Sequence, residues 1–167
     1  MGKKWLDIVY NEKSSIKLKQ HYKSWANDYD QDLIDWGYAY PSQLKKIMSQ
    51  DIKLKKSSKI LDAGCGTGLV AEVLGDMNFK NIVGLDYSLD MLKIAKDKKI
   101  YTRLIQESLN KKTSLRSNQF DVVLCTGVLT SGHVGSKAIN ELIRVTKNKS
   151  YLILSIAESI YEKLGFK

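Results

Sequence analysis

At 167 residues with 43% hydrophobic content, the chain is long enough for one domain with a substantial core, and no apolar run approaches the ~18 residues that a membrane helix needs. The net charge of +9 would suit a nucleic-acid partner, but lysine outnumbers arginine 24 to 3, whereas recognition of phosphates and bases favours arginine, so nucleic acid is disfavoured. Two cysteines are too few for a disulfide framework and have no metal-ligand spacing, which favours a reduced, cytoplasmic setting without a metal.

Residues 1–50 are predicted to be largely helical. The segment from Ser14 to Ala26 places apolar side chains at helical spacing, and a polar, aromatic stretch from Asn27 to Tyr40 follows it. Pro41 then begins another helix, because proline prefers the first helical turn. This region is expected to form an N-terminal helical cap on the remainder of the chain.

From Lys59 onward, short apolar runs alternate with amphipathic segments. Strands are predicted over residues 59–63, 81–86, 100–105, 119–125 and 150–156. Helices are predicted near residues 68–76, 88–98 and 135–146. Apolar strands with helices between them indicate a parallel sheet that is buried on both faces. The fold class is therefore doubly wound α/β, in a single domain over residues 1–167 whose α/β core spans residues 58–157.

The most informative segment runs from residue 60 to residue 69, where a strand enters a glycine-rich turn and an apolar helix follows. Gly64, Gly66 and Gly68 allow a sharp turn and a close approach of the backbone to a ligand. Asp86 lies eighteen residues beyond Gly68 at the end of the next apolar run, where an acid typically binds ribose hydroxyls. The Gly-x-Gly-x-Gly spacing differs from the dinucleotide fingerprint, which indicates an adenosine-type ligand without a pyrophosphate.

At these residues the sequence resembles the class I S-adenosylmethionine (SAM) methyltransferases. Asp62 to Gly68 is similar to their first motif, and Gly84 to Ser88 is similar to their second. The resemblance spans about residues 22–166 and is greatest to the methyltransferase-like proteins of the Williams–Beuren region and their bacterial relatives. Further similar segments are residues 29–32, 68–71, 101–104 and 127–134. The resemblance implies a Rossmann-like sheet, with SAM as methyl donor and S-adenosylhomocysteine (SAH) as product.

The resemblance also assigns roles around the glycine turn. The three glycines and Cys65 would lie against the sulfonium and amino-acid portion of SAM, and Asp62 would face the ammonium group. Asp86 would accept hydrogen bonds from both ribose hydroxyls, because its two oxygens match a vicinal diol. Tyr87 and Met91 either pack against adenine or belong to the core.

Two later strand ends complete the expected cofactor site. Ser108 stands where the family has an acid after the third strand, so adenine would be contacted by Glu107, Ser108 or the backbone of Leu109. After the fourth strand, Cys125 and Thr126 would pass beneath the sulfonium.

Two features are open to more than one interpretation. Tyr22, Trp25 and Tyr29 share a helix face by their spacing, and they form either a lid over the cofactor or an apolar stripe packed on the sheet. His133 is a candidate general base, but a lone histidine in a glycine-rich turn is more often structural.

The resemblance favours a SAM-dependent methyltransferase that acts on a small-molecule acceptor. The alternative is a SAM-binding protein without external methyl transfer, either a non-catalytic partner subunit or a SAM-cleaving enzyme. That alternative arises because the family usually continues past the fifth strand with two more, whereas this sequence reaches Lys167 eleven residues after Ile156. The fifth strand would then be an edge, and natural proteins cover such edges, so we expect it to pair in a homodimer.

Overall fold

Five parallel strands form the centre of the fold, in the order β3-β2-β1-β4-β5. They run over Ile60–Ala63 (β1), Ile82–Asp86 (β2), Arg103–Gln106 (β3), Phe120–Leu129 (β4) and Thr146–Ile156 (β5). This computed structural model describes residues 3–12, 14–129, 134, 137–156 and 158–161. The parallel pairings confirm the doubly wound α/β fold. Since the strand order reverses between β1 and β4, their carboxyl ends border the switch point where such sheets bind ligands.

Helices precede the sheet and connect its strands. They are Lys3–Asn11 (α1), Ser15–Trp25 (α2), Tyr29–Asp35 (α3), Tyr40–Gln50 (α4), Leu69–Asp76 (α5), Leu89–Asp97 (α6), Lys137–Val145 (α7) and Glu158–Tyr161 (α8). None of the described helices is both long and apolar enough to cross a membrane.

The core has two parts because successive residues of a strand point to opposite faces of the sheet. On one face, Leu44 of α4 and Leu74 of α5 share a buried cluster with Ile60 of β1. On the other face, Leu142 of α7 shares a cluster with Leu61 of β1. The sheet is thus covered on both sides, as the apolar character of its strands predicted.

Several element boundaries differ from the sequence prediction. Strand β3 begins at Arg103 rather than residue 100, and β4 continues to Leu129 instead of ending at residue 125. Strand β5 begins at Thr146, directly after α7, where Thr146 pairs with Phe120 before a shift in register. The sequence prediction missed this first half of β5 because it identified strands as apolar runs. Residues Lys147 to Ser150 are polar, as is typical of an exposed strand segment.

Helix α3 was not predicted, and its C-terminal cap together with a hydrogen bond from α2 stabilises it. Asp30 and Asp32 lie in its first turn, where negative charge is favourable, but Leu33 is its only described buried residue. After the helix, Gly37 has φ 73°, and the N–H of Tyr38 donates to the carbonyl of Leu33 at 2.9 Å, which is the bonding pattern of a Schellman C-cap. The Nε1 of Trp25 donates to Oδ2 of Asp32 at 2.7 Å and holds α3 against α2.

An ionic network fixes the loop between β3 and β4 on helix α7. The carboxylate of Glu141, which is 8% exposed, accepts hydrogen bonds from the backbone N–H and hydroxyl of Thr113 at 2.8 and 2.6 Å. It also accepts from Nε and an Nη atom of Arg144 at 2.7 and 2.6 Å, and Arg144 donates in turn to the Leu115 carbonyl at 2.8 Å. Burial alone would raise the pKa of Glu141, but the hydrogen bonds from Arg144 and Thr113 outweigh it and lower the pKa to about 2.

We expect Glu141→Gln to lower the free energy of unfolding by about 2–3 kcal/mol at pH 7, because the charge-assisted bonds are lost. A carboxylate whose pKa is depressed stabilises the fold above its unfolded pKa near 4.5, and this contribution fades as the pH falls toward 2. The difference between wild type and variant should therefore shrink over that interval in denaturant titrations. Glu72→Gln is the control, since Glu72 is half-exposed. An equal loss in both variants would contradict the expectation.

Candidate functional site

A cavity lies where the carboxyl ends of β1, β2 and β4 face helices α2 and α3. Its empty space, counted out to the open mouth, is about 1070 Å³, at the upper end of the range for small-molecule sites of roughly 300–1,000 Å³. Most of the sequence-predicted cofactor residues line it: Tyr22, Tyr29, Asp62, Gly64, Cys65, Gly66, Asp86, Tyr87, Met91, Glu107, Ser108, Leu109 and Thr126. The structure thus brings the ends of four strands and the N-terminal helices to one space.

The remaining predicted residues do not line this cavity. Trp25 is 1% exposed and packs among the rings of α1, α2 and α3, and Cys125 is fully buried in the core cluster beneath α7. Gly68 faces Tyr101, whose ring would lie 3.1 Å from a Cβ at this position. His133 lies outside the described residues.

The glycine turn depends on backbone conformations that only glycine adopts without strain. Gly64, Gly66 and Gly68 have φ values of 79°, 54° and 94°. A Cβ at Gly64 would collide with Val128, whereas one at Gly66 would meet nothing within 4 Å. The N–H groups of Gly64 and Cys65 both donate to the Leu85 carbonyl at 2.7 and 3.0 Å, which fixes the turn against the end of β2.

Asp86 closes the turn from the opposite side. Its Oδ2 accepts a hydrogen bond from the N–H of Gly66 at 2.9 Å, and its Oδ1 accepts from the N–H of Ser88 at 2.8 Å. Burial raises the pKa of Asp86, while the backbone donors, led by Ser88 and Gly66, act in the opposite direction. Each carboxylate oxygen can accept two hydrogen bonds, so both retain capacity for a hydroxyl donor.

Asp62 lies one strand away and is 1% exposed. Its Oδ2 accepts a hydrogen bond from the Tyr101 hydroxyl at 2.8 Å. Burial raises the pKa of Asp62 to about 7, with the bond from Tyr101 opposing the rise and the nearby Asp86 adding to it. A cation placed in the cavity would favour the charged form of this carboxyl group.

The far end of the cavity combines apolar side chains with turn-forming polar ones. Met91 and Leu109 are buried, and the Tyr87 hydroxyl is buried with no hydrogen-bond partner among the described residues. Glu107 accepts the Ser114 N–H at 2.8 Å, and hydrogen bonds from Ser114 lower its pKa. Ser108 accepts the Asn110 N–H at 3.2 Å, so these side chains shape the loop as well as the cavity.

The N-terminal helices are tied directly to the glycine turn. Asp30 of α3 accepts a hydrogen bond from the Thr67 hydroxyl through Oδ1 and pairs with Lys98 through Oδ2 at 2.6 Å. Lys98 also pairs with Glu72 of α5 at 3.1 Å. These bonds hold α3 over the mouth of the cavity, so Tyr22 and Tyr29 line its wall, while Trp25 is part of the packed aromatic cluster.

Sequence reasoning missed several lining residues. Thr67, Gly127 and Val128 lie inside the segments that carry the family resemblance, so the motifs could have revealed them. Leu18 and Leu33 come from helices α2 and α3, and Tyr38 comes from the connection between α3 and α4, where no motif distinguishes them from core residues. The full set of additional residues is Leu18, Leu33, Tyr38, Thr67, Leu69, Val70, Leu85, Ser88, Asn110, Gly127, Val128 and Val134.

The charges of the cavity suit a cationic adenosine-type ligand. The charged side chains among its described lining residues are Asp62, Asp86 and Glu107, all of them acidic. No group of three or more metal-binding side chains occurs in the part of the chain that the structure describes. The positive-φ glycines, the two buried carboxyl groups and the unpartnered Tyr87 hydroxyl fit SAM, which has an ammonium, a sulfonium, a ribose diol and adenine.

The five-stranded parallel sheet, with a glycine turn after β1 and an acid ending β2, defines the class I, Rossmann-like methyltransferase fold. Residues 61–154 match the family described as methyltransferase domain, and this match covers more than half of the chain. The chain belongs to that family, which confirms the resemblance found in the sequence and implies the use of SAM.

Comparison with individual proteins agrees with this assignment. The human methyltransferase-like protein 27 is 38% identical over 128 residues, which cover 75% of this chain and 52% of that protein. An uncharacterized protein of Methanocaldococcus jannaschii is 28% identical over 157 residues, which cover 92% of this chain and 56% of its own length. The crystal structure of a candidate SAM-dependent methyltransferase from Methanococcus maripaludis has the same fold, with a TM-score of 0.67, 18% identity, and coverage of 84% of this chain and 71% of that one. The chain spans about half the length of the curated relatives it matches.

Proposed function

We propose that this chain binds SAM in the cavity above β1 and β2 and transfers its methyl group to a small-molecule acceptor. The observation that carries the proposal is the convergence of Asp62, the glycine turn and Asp86 on one cavity. When bound, SAM supplies a methyl carbon that accepts an electron pair from a nucleophile, while the positively charged sulfur keeps the electron pair of the broken bond. The protein contributes orientation and a site shielded from water.

Each side of the cavity has a distinct part in this proposal. Asp86 binds the ribose hydroxyls with the acceptor capacity left over from its bonds to Gly66 and Ser88. Asp62 faces the ammonium group, and its buried position makes the interaction strong because little water competes. Tyr87 and Met91 lie at the adenine end, where the Tyr87 hydroxyl can find the partner that it lacks among the described residues.

The acceptor would enter between the end of β4 and the N-terminal helices. Thr126, Gly127 and Val128 line the cavity from the sheet side, and Tyr22 of α2 and Tyr38 between α3 and α4 line it from the N-terminal region. The products distinguish transfer from cleavage of SAM. Formation of SAH that depends on an added acceptor supports the proposal, whereas methylthioadenosine would contradict it.

The proposed SAM site is tested by Asp86→Ala. We expect SAM and SAH to bind more weakly by about 1.5–3 kcal/mol, because charge-assisted hydrogen bonds to ribose are lost. Isothermal titration calorimetry measures the affinity. Asp90→Ala is the matched control, since Asp90 is an acid in the first turn of the following helix α6, pairs with Lys93 at 2.8 Å and does not line the cavity. Unchanged affinity in Asp86→Ala would place the ribose elsewhere.

The edge of β5 leads to a proposal on assembly. Among the described strands, β5 pairs only with β4, and Tyr151 on it is 39% exposed. We expect two copies of this chain to cover this edge by pairing with each other. Sedimentation velocity at high concentration should give twice the monomer mass, and Tyr151→Lys should return the monomer, because a charged side chain on an exposed edge strand opposes pairing. A monomer at all concentrations would exclude the pairing.

A further inference from the structure

A second cavity adjoins the proposed SAM site and has a different chemical character. Its empty space is about 570 Å³. Five aromatic side chains line it: Tyr22, Trp25, Tyr29, Trp36 and Tyr38. Leu33 and Gly127 complete its wall, and Gly127 also lines the first cavity. We refer to this space as the aromatic annex.

The annex shares a boundary with the first cavity, which holds the proposed SAM site and is called the SAM cavity from here on. Tyr22, Tyr29, Leu33, Tyr38 and Gly127 contribute to both. Gly127 has φ 72°, and a Cβ at this position would lie 2.8 Å from the Tyr38 hydroxyl oxygen, so the glycine lets the helical wall approach the end of β4. A molecule in the annex would therefore lie next to the part of the SAM cavity that is bordered by β4.

The aromatic rings that line the annex meet one another at several angles. The Trp25 and Tyr29 ring centroids are 4.5 Å apart at an interplanar angle of 64°, and Trp25 and Trp36 are 5.6 Å apart at 33°. The faces of such rings carry negative electrostatic potential. Asp32 strengthens this potential at Trp25, because its carboxylate accepts the indole N–H at 2.7 Å.

None of the described residues that line the two cavities has a positively charged side chain. Although the chain has a net charge of +9, no lysine, arginine or histidine occurs among the described residues that line either cavity. An anionic acceptor would lose its hydration here without gaining a counter-charge, which is costly. A cation would instead be attracted by the ring faces and by the acidic side chains of the adjoining cavity.

We propose that the aromatic annex is the acceptor site and that it binds the ammonium form of a basic amine. This inference rests on the proposed function, and it names the substrate class of the same site. Next to the sulfonium, the like charge favours loss of the ammonium proton to solvent. The nitrogen lone pair then forms the bond to the methyl carbon, and the methyl–sulfur bond breaks with its electron pair staying on sulfur. The products are the methylated amine and the neutral thioether of SAH.

A pair of isosteric probes separates charge from shape. Choline and 3,3-dimethylbutan-1-ol differ in having a quaternary nitrogen or a quaternary carbon, and neither has a nitrogen lone pair that could accept a methyl group. Titrated into SAH-saturated protein, choline should bind about 3- to 30-fold more tightly than its neutral isostere. Acetate should not bind. Tryptophan fluorescence reports binding, because Trp25 and Trp36 line the annex. Equal affinity for the two isosteres, or preferential binding of acetate, would overturn the proposal.

Variants locate the binding in the annex. Trp36 lines the annex but not the SAM cavity, so Trp36→Leu should weaken choline binding at least about 3-fold and leave SAH affinity unchanged. Trp5→Leu is the matched control, because Trp5 stacks on Trp25 at 5.9 Å and lines neither cavity. Equal weakening in both variants would place the cation elsewhere. Should Trp36→Leu fail to fold, the comparison of isosteres in the wild type still decides the question.

The two proposals fail in different ways. If SAH does not bind the wild type, the proposed function is wrong, and the same two probes applied to the ligand-free protein then test the annex alone. If SAH binds and choline shows no advantage over its isostere, the SAM site stands and the amine assignment is wrong.

Discussion

Asp62→Asn is expected to raise the free energy of unfolding of the ligand-free protein at pH 8 by about 3–4 kcal/mol. Asp62 is 1% exposed, and burial raises its pKa to about 7. Above that pH the wild type must keep a charge in a poorly solvated position, while the amide remains neutral and can still accept the hydrogen bond from Tyr101. Chemical denaturation of both proteins at a series of pH values measures the effect.

The sign of this effect follows from proton binding. The folded protein holds the Asp62 proton up to about pH 7, whereas the unfolded chain releases it near pH 3.8. The stabilisation from this group is therefore complete below pH 3.8 and is lost as the pH rises to about 7. Asp90→Asn is the control, because Asp90 is an acid whose pKa is lowered, chiefly by its hydrogen bond to Lys93. Parallel pH profiles of the wild type and Asp62→Asn would show that folding leaves the pKa of Asp62 near 3.8 and would contradict the expectation.

The same carboxyl group links pH to the proposed ligand. The ammonium group of SAM or SAH would favour the charged form of Asp62, so binding at pH 6 should release a proton to the buffer. Calorimetry in buffers of different ionisation enthalpy measures this release. The Asp62→Asn variant should bind SAM or SAH without releasing a proton and with lower affinity. The effect of Asp62 on ligand binding is thereby measured separately from its effect on the free energy of unfolding.

The sequence predicted the sheet well because its strands are recognisable locally. Strands β1 and β2 are short apolar runs ending in the glycine turn and in Asp86, and both begin within one residue of the expected position. The first half of β5 and helix α3 were missed because they depend on partners distant in sequence. Thr146 is positioned by Phe120, and α3 is held by the hydrogen bonds that Asp30 accepts from Thr67 and Lys98.

In the candidate site, too, the features that are local in sequence were predicted, and the contacts between distant residues were not. The glycine turn and Asp86 are found from spacing, and the family resemblance adds Asp62, because one strand, one turn and the next strand contain them all. Neither the bond from Tyr101 to Asp62 nor the contact of Tyr38 with Gly127 can be read from spacing, since each joins residues 39 or more positions apart. Trp25 follows the helical spacing of Tyr22 and Tyr29, but its large indole ring fills the space between α1 and α3 and does not reach the SAM cavity.

Gly64→Ala is expected to lower the free energy of unfolding by about 2–5 kcal/mol and to abolish detectable SAH binding in the remaining folded protein. The φ of 79° at Gly64 is unfavourable for alanine by about 1–2 kcal/mol, and the new Cβ would collide with Val128, at a further cost of about 1–3 kcal/mol. Any shift that relieves the collision also moves the N–H groups of Gly64 and Cys65 away from the Leu85 carbonyl. Denaturant titration and calorimetry measure the two effects.

Two further substitutions separate the backbone cost from the collision. Gly66→Ala places the same methyl group at a φ of 54° with no atom within 4 Å, so it should lose only the backbone cost of about 1–2 kcal/mol. Val128→Ala removes the methyl groups with which the new Cβ collides. In the Gly64→Ala background it should therefore raise the free energy of unfolding by about 1–3 kcal/mol, whereas in the wild type the same substitution should lower it. If Gly64→Ala and Gly66→Ala were equally destabilising and Val128→Ala gave no rescue, the close approach of β4 to the turn would have no energetic consequence. The rescue would instead show that position 64 requires glycine because β4 packs directly on the turn.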